Sequence, residues 1–146
     1  MRDTPRSAFP HFMTIQTRWM DNDVYGHVNN VVYYSYFDTA VNQFLIERGV
    51  LDIHNGEVVG FVVDSGCAYF SSISFPDTIH AGIRVAKLGN SSVRYEIALY
   101  CNDDPLPCAA GHFVHVYVER SSNRSVPIPM NVRNVLKPIC GAVPTN

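Results

Sequence analysis

Long apolar runs are missing from this 146-residue sequence, and no stretch approaches the ~20 apolar residues that a membrane-spanning helix needs. Positive charge is scarce too. The 11 Lys and Arg stand against 13 Asp and Glu, a formal charge of -2. No basic field is therefore present for nucleic acid or an anionic membrane surface, and neither is expected as a partner. The first residues, Met1-Arg2-Asp3-Thr4-Pro5-Arg6, lack the apolar stretch of a secretory leader and include an acid, so cytoplasmic residence is expected. Repeats, charge blocks and low-complexity stretches are absent as well, which leaves one domain over residues 11–146 behind a loose arm at 1–10. The 4 cysteines, Cys67, Cys101, Cys108 and Cys140, form no Cys-x-x-Cys pair and read as small buried or half-buried thiols. His112 and His115 fall in a strand-like run, where their odd spacing puts them on opposite faces. No metal site is expected.

What is present fits a globular domain: 47% hydrophobic and 16% charged residues, in a chain long enough to bury about two-thirds of its unfolded surface. From Phe12 to Trp19 the residues alternate, with Met13, Ile15, Thr17 and Trp19 on one face, which predicts a half-buried strand. Over Val31–Arg48 the period changes. Tyr33, Tyr36, Phe37, Ala40, Val41, Phe44 and Leu45 recur at helical steps, Asn29 and Asn30 precede them as N-cap candidates, and Gly49 follows as a stop. Val31, Val32 and Tyr34 add further apolar surface, so the helix is expected to be covered on most sides. Strand-like runs follow at Val58–Asp64, Ala68–Ser74, Thr78–Leu88, Ser92–Asn102 and Cys108–Arg120, and a short helix at Asn131–Lys137. This order predicts an α+β domain, with an antiparallel sheet curled around one long central helix. Within Phe113–Val118, Phe113 and Tyr117 point one way and Val114, Val116 and Val118 the other. One helix covers only one face, so the other is expected to meet a second subunit.

The segment Trp19-Met20-Asp21-Asn22-Asp23-Val24-Tyr25-Gly26-His27-Val28-Asn29-Asn30 holds the densest chemistry. It sets two carboxylates, a glycine, a histidine and three amides immediately before the helix. A helix N-terminus carries unpaired amides and about half a positive charge, and one such donor to an oxyanion is typically worth ~10²–10³ in rate. Asp-Asn-Asp followed by Gly-His-Val-Asn-Asn, then Tyr33 and Phe37-Asp38, resembles the signature of the 4-hydroxybenzoyl-coenzyme A thioesterase-like family. The resemblance is strongest over Ile15–Arg48 and continues weakly through Leu88–Ile97 and the closing strand. It implies a hotdog fold, built as a homodimer or homotetramer, that cleaves an acyl- or aryl-coenzyme A thioester. It places the family's catalytic aspartate on Asp23, the oxyanion amide near Asn30, and the coenzyme A contacts around Lys87, Ser91 and Ser92. Where the acyl-carrier-protein members carry Asn, this chain has Tyr25.

An ionised aspartate serves such a reaction either as a nucleophile or by activating water, and both routes stay open. No cofactor is expected beyond the coenzyme A of the substrate. Asp21 reads as a loop cap or a supporting partner, His27 as a structural hydrogen-bonder ahead of a general acid, and Gly26 as a special backbone angle or close approach to substrate. Asn29 and Asn30 read as caps, with any oxyanion contact coming from backbone amides. Tyr33, Tyr36 and Phe37 are core aromatics by default, with Tyr33 a candidate for the acyl-pocket wall. Asp38 is a lesser candidate for a carboxylate on the helix. Two rivals remain: a hotdog-fold enoyl-coenzyme A hydratase and a non-catalytic acyl-coenzyme A binding protein.

Overall fold

The computed structural model describes residues 1–52 and 56–141. Five strands, β1 (His11–Gln16), β2 (Val58–Tyr69), β3 (Thr78–Leu88), β4 (Ser92–Cys101) and β5 (Ala109–Glu119), form one sheet in the order β1-β3-β4-β5-β2. Every neighbouring pair is antiparallel. Helix α1 (Asn30–Glu47) lies against one face, and a short helix α2 (Met130–Leu136) follows the sheet. This antiparallel sheet with α1 on one face is the arrangement expected of a hotdog domain. No described helix is long and apolar enough to cross a membrane.

Local chemistry sets the bounds of α1. The Asn29 side chain accepts from the Val31 amide at 3.1 Å, and Gly49, at φ +72°, takes the left-handed turn that stops the helix. Its buried residues are Tyr33, Tyr36, Phe37, Ala40, Val41, Phe44 and Leu45, the stripe the spacing predicts. They meet Ile79, Ala81, Ile83, Tyr95, Ile97 and Leu99 of the sheet, all fully buried. Coverage is narrower than expected: Val31 and Ile46 are exposed, and Ser35, Asp38 and Thr39 face outward.

Three other expectations change. The first strand ends at Gln16 rather than Trp19, because residues Trp19–Asp21 turn as a 3-10 helix and leave Trp19 76% exposed. The runs Val58–Asp64 and Ala68–Ser74 merge into one strand, β2. Its register slips between Val62 and Asp64, the turn-like Asp64-Ser65-Gly66 stays in the ladder, and Phe70–Ser74 leave it. The first ten residues lie against the outer face of the sheet. Phe9 is buried on Gly82, the Arg6 guanidinium donates to the Asn102 and Asp104 carbonyls, and the Tyr100 hydroxyl donates to the Thr4 carbonyl at 2.8 Å.

The cysteines are free thiols, Cys101 and Cys108 buried, Cys67 and Cys140 half-buried. His112 pairs with Asp64 on the outer face at 3.0 Å, while His115 is buried on the inner face. Outer-facing Val114 and Val116 are half-buried.

Helix and sheet pack tightly at Gly111 of β5. A Cβ built there would stand 2.5 Å from the Phe37 ring and 2.4 Å from the Gly66 carbonyl oxygen. Gly111→Ala is expected to destabilise the chain by about 1–3 kcal/mol, the usual cost of overpacking, as read by urea unfolding.

Candidate active site

The loop between β1 and α1 folds back on itself as a small antiparallel hairpin. Asn22 bridges Val28, and the Asp23 amide donates to the His27 carbonyl at 2.8 Å. Gly26 turns the tip at φ +80° with open space where a side chain would stand, so the backbone angle alone calls for glycine. The Val28 amide donates to the Ile73 carbonyl at 2.7 Å, which seats the returning arm on the core. Asp23 is thereby held across from His27, just ahead of the first turn of α1.

Asp21 organises the loop. It is 2% exposed and accepts from the Arg18 amide at 2.8 Å, the Arg18 guanidinium at 2.9 Å and the Tyr36 hydroxyl at 2.8 Å. Its own carbonyl accepts from the Asn29 amide at 3.0 Å. Burial alone would raise its pKa, but the Arg18 amide, the Tyr36 hydroxyl and the Arg18 guanidinium outweigh it, so the carboxyl titrates below the usual carboxylate range. With every strong contact directed inward, Asp21 is a supporting group. The expected cap or partner role fits.

Asp23 differs. It is half-buried, and among the described residues its side chain accepts only the Tyr25 amide, at 2.8 Å to Oδ1. It lines an open cleft of about 650 Å³ with Trp19, Met20, Asn22, Val24 and Gly26. In the first turn of α1 the Val31 amide is taken by the Asn29 side chain and the Val32 amide by the Asn29 carbonyl. The Asn30 amide makes no hydrogen bond to any described residue. The loop therefore carries a carboxylate with a spare oxygen and leads directly into an unpaired N–H at the positive end of an 18-residue helix.

Other candidates are placed differently. His27 is exposed and makes no side-chain hydrogen bond to a described residue, so the structural-bonder expectation is not met within this chain. Asn29 is the cap, and Asn30 opens the helix. Tyr33 is 4% exposed, edge-on to Tyr69 at 4.9 Å, and belongs to the core rather than the open cleft wall. Burial pushes its hydroxyl up to about 12. Asp38 lies on the outward flank, bonded to Asn42 at 3.0 Å.

Lys87, Ser91 and Ser92 sit at the β3–β4 turn. The antiparallel register puts Gln16 opposite Thr78, so that turn is the far end of the sheet from Asp23. Across the length of β3 this is roughly 30 Å at ~3.3 Å per residue, and one chain does not bring the two groups together. Sequence reasoning missed Arg18 and Tyr36 as the anchors of Asp21. It also missed Tyr69, whose hydroxyl donates to the Asn30 carbonyl at 3.2 Å. Only the Asp21–Arg18 spacing carried a local signal. Among the described residues no cluster of His, Cys, Asp and Glu could hold a metal ion.

Asp21→Asn is expected to cost about 2–3 kcal/mol, because the buried site then holds an amide among donors. The depressed carboxyl contributes its stability in full above the ordinary carboxylate range. That contribution is lost as pH falls through the lower folded value, so urea unfolding of the variant should show a flatter acid limb.

Comparison with known proteins identifies the family. The Thioesterase-like superfamily matches residues 17–136. The PA5185 protein of Pseudomonas aeruginosa strain PAO1 superposes with a TM-score of 0.92 at 56% identity, over 96% of this chain and 98% of that one. A Thermus thermophilus thioesterase solved with coenzyme A and zinc is 30% identical, with a TM-score of 0.75 over 90% of this chain and 95% of its own. YsmA of Bacillus subtilis is 23% identical over 121 residues, covering 83% of this chain and 81% of that protein. With its site loop and α1 inside the matched span, this chain belongs to the thioesterase-like superfamily.

Proposed function

We propose that this chain hydrolyses an acyl- or aryl-coenzyme A thioester to a free acid and coenzyme A. The observation that carries the reading is the unpaired Asn30 amide next to the Asp23 loop. A thioester carbonyl oxygen placed there accepts that N–H and gains negative charge as the carbonyl is attacked, where the helix dipole favours it. The spare oxygen of Asp23 has two ways to serve. It attacks the carbonyl carbon, expelling the thiolate and leaving a mixed anhydride that water then opens. Alternatively, it takes a proton from a water that attacks in its place. Both routes break the carbon–sulfur bond and need no metal or redox cofactor.

The reading includes a hotdog sheet rolled about α1 and a second copy of the chain. β2 is an edge strand with Phe61, Val62 and Val63 exposed at 47%, 48% and 60%. An exposed apolar edge of this kind pairs with another strand. Antiparallel β2–β2 pairing would carry the partner's β3–β4 turn toward the first chain's Asp23, which supports Lys87, Ser91 and Ser92 as contacts to the coenzyme A portion. It would also cover the exposed Tyr69 beside the helix start.

Asp23→Asn is expected to stay folded by circular dichroism and to lower kcat by about 10²–10⁴-fold against whichever member of an acyl-coenzyme A panel releases thiol fastest. Rates near wild type would remove Asp23 from the mechanism. Crotonyl-coenzyme A serves as the arm for the hydratase alternative, where hydration without thiol release would replace hydrolysis as the reading. Val63→Lys is expected to shift a dimer toward monomer in light scattering and to lower turnover with it. A wild-type monomer with full activity would overturn the paired arrangement.

A further inference from the structure

A second cavity, of about 310 Å³, lies near the opposite end of α1 from Asp23. Its walls include Asn42 and Leu45 of α1, Val58 of β2, His115 and Tyr117 of β5, and Val132 of α2. Leu45, Val58 and Val132 make much of the wall apolar. Asn42, His115 and Tyr117 supply the uncharged polar groups. The acids Asp52 and Glu57 also line it and no Lys or Arg does, which disfavours a carboxylate or phosphate there.

His115 is the unusual member. It is 4% exposed, and its Nε2 has no hydrogen-bond partner among the described residues. The Tyr95 ring stands edge-on to it at 5.2 Å, and the Tyr95 hydroxyl is engaged with the neighbouring Tyr117 side chain. Buried polar atoms are nearly always paired, so the bare Nε2 of His115 calls for an explanation. Burial lowers the His115 pKa against the opposing effect of Asp38, so the ring is neutral at pH 7 and offers one N–H and one bare nitrogen. A hydroxyl both donates and accepts, and it suits either tautomer. The Asn42 side-chain nitrogen is bound to the Asp38 carbonyl at 2.9 Å and carboxylate at 3.0 Å, leaving its oxygen free to accept from the same ligand.

The cavity is also within reach of the reaction. Asn42 stands 12 residues along α1 from Asn30, ~18 Å at the helical rise. The flank between them, Tyr34, Asp38 and Asn42 at four-residue steps, is half-buried or exposed rather than closed into the core. We infer that this cavity receives the far end of an extended acyl group, and that His115 selects for a hydroxyl there. The inference rests on the thioesterase reading and narrows its substrate class to acyl chains of that reach with a distal hydroxyl.

The test compares kcat/KM for ω-hydroxydodecanoyl-coenzyme A and dodecanoyl-coenzyme A. The wild type should favour the hydroxylated chain by about tenfold or more, since sites built to pair a hydroxyl discriminate strongly against its absence. His115→Phe should bring the ratio close to unity, and the ratio is insensitive to any general loss of active enzyme. Leu45→Trp, which fills the cavity, should lower both long substrates relative to butyryl-coenzyme A. Equal rates for the two chains in the wild type, or a preference that survives His115→Phe, overturns the inference. A second readout needs neither turnover nor a variant: free ω-hydroxydodecanoate should shift the His115 ring resonances in NMR, and dodecanoate much less. If no thioester is cleaved yet that shift appears, the hydrolase reading fails and the cavity stands as a hydroxy-acid site. Cleavage with neither ratio nor shift removes the cavity and leaves the hydrolase.

Discussion

The arrangement of the site depends on one buried carboxylate whose contacts all turn inward. Asp21 gathers the Arg18 amide, the Arg18 guanidinium and the Tyr36 hydroxyl, and its carbonyl holds the Asn29 amide. These bonds join the end of the first strand, the loop and the second turn of α1 around a single group. A charged group taken out of water is tolerable only when its lone pairs are filled, so the three segments are held in one relative position. Asp23, two residues on, inherits that position. Its exposure is thus a product of its neighbour's burial: Asp21 takes the donors, and Asp23 is left with one amide and the open side of the cleft.

That division explains how two aspartates in a three-residue motif come to differ. The backbone of a short extended segment points alternate side chains in opposite directions, but residues 21 and 23 share parity. The 3-10 turn at Trp19–Asp21 breaks the alternation and sends Asp21 inward, while the small hairpin from Asn22 to Val28 returns the chain and leaves Asp23 lining the open cleft. Sequence spacing alone carries no trace of this.

Much of the fold was nevertheless legible. Helical spacing from Tyr33 to Leu45, the Asn29 cap and the Gly49 stop define α1 to within a residue at either end, because capping and periodicity are local properties. Strands β3, β4 and β5 were legible for the same reason. What was not legible was long-range. Asp64-Ser65-Gly66 looks like a turn, yet it stays in β2 because β5 supplies the ladder across it and His112 pairs with Asp64. Trp19 continues the alternation of β1 on paper, but Asp21 ends the strand first. Within the candidate site, Asp23 and the Asn30 amide were singled out through the motif and the helix start. Tyr36 was read as core, and its bond to Asp21 spans 15 residues that no local pattern connects.

The two ends of the sheet differ in charge as well as in chemistry. Asp23, Asp77, Asp103 and Asp104 gather where β3 begins and β4 ends, whereas Lys87, Arg120, Arg133 and Lys137 gather near the β3–β4 turn. A chain of nearly balanced net charge is therefore an electric dipole along its strands. Two such dipoles attract when laid head to tail and repel when aligned, so electrostatics alone prefers the antiparallel meeting of edge strands over the parallel one. Screening shortens that preference to about 8 Å at physiological salt, so in the proposed pairing it would act only on the final approach.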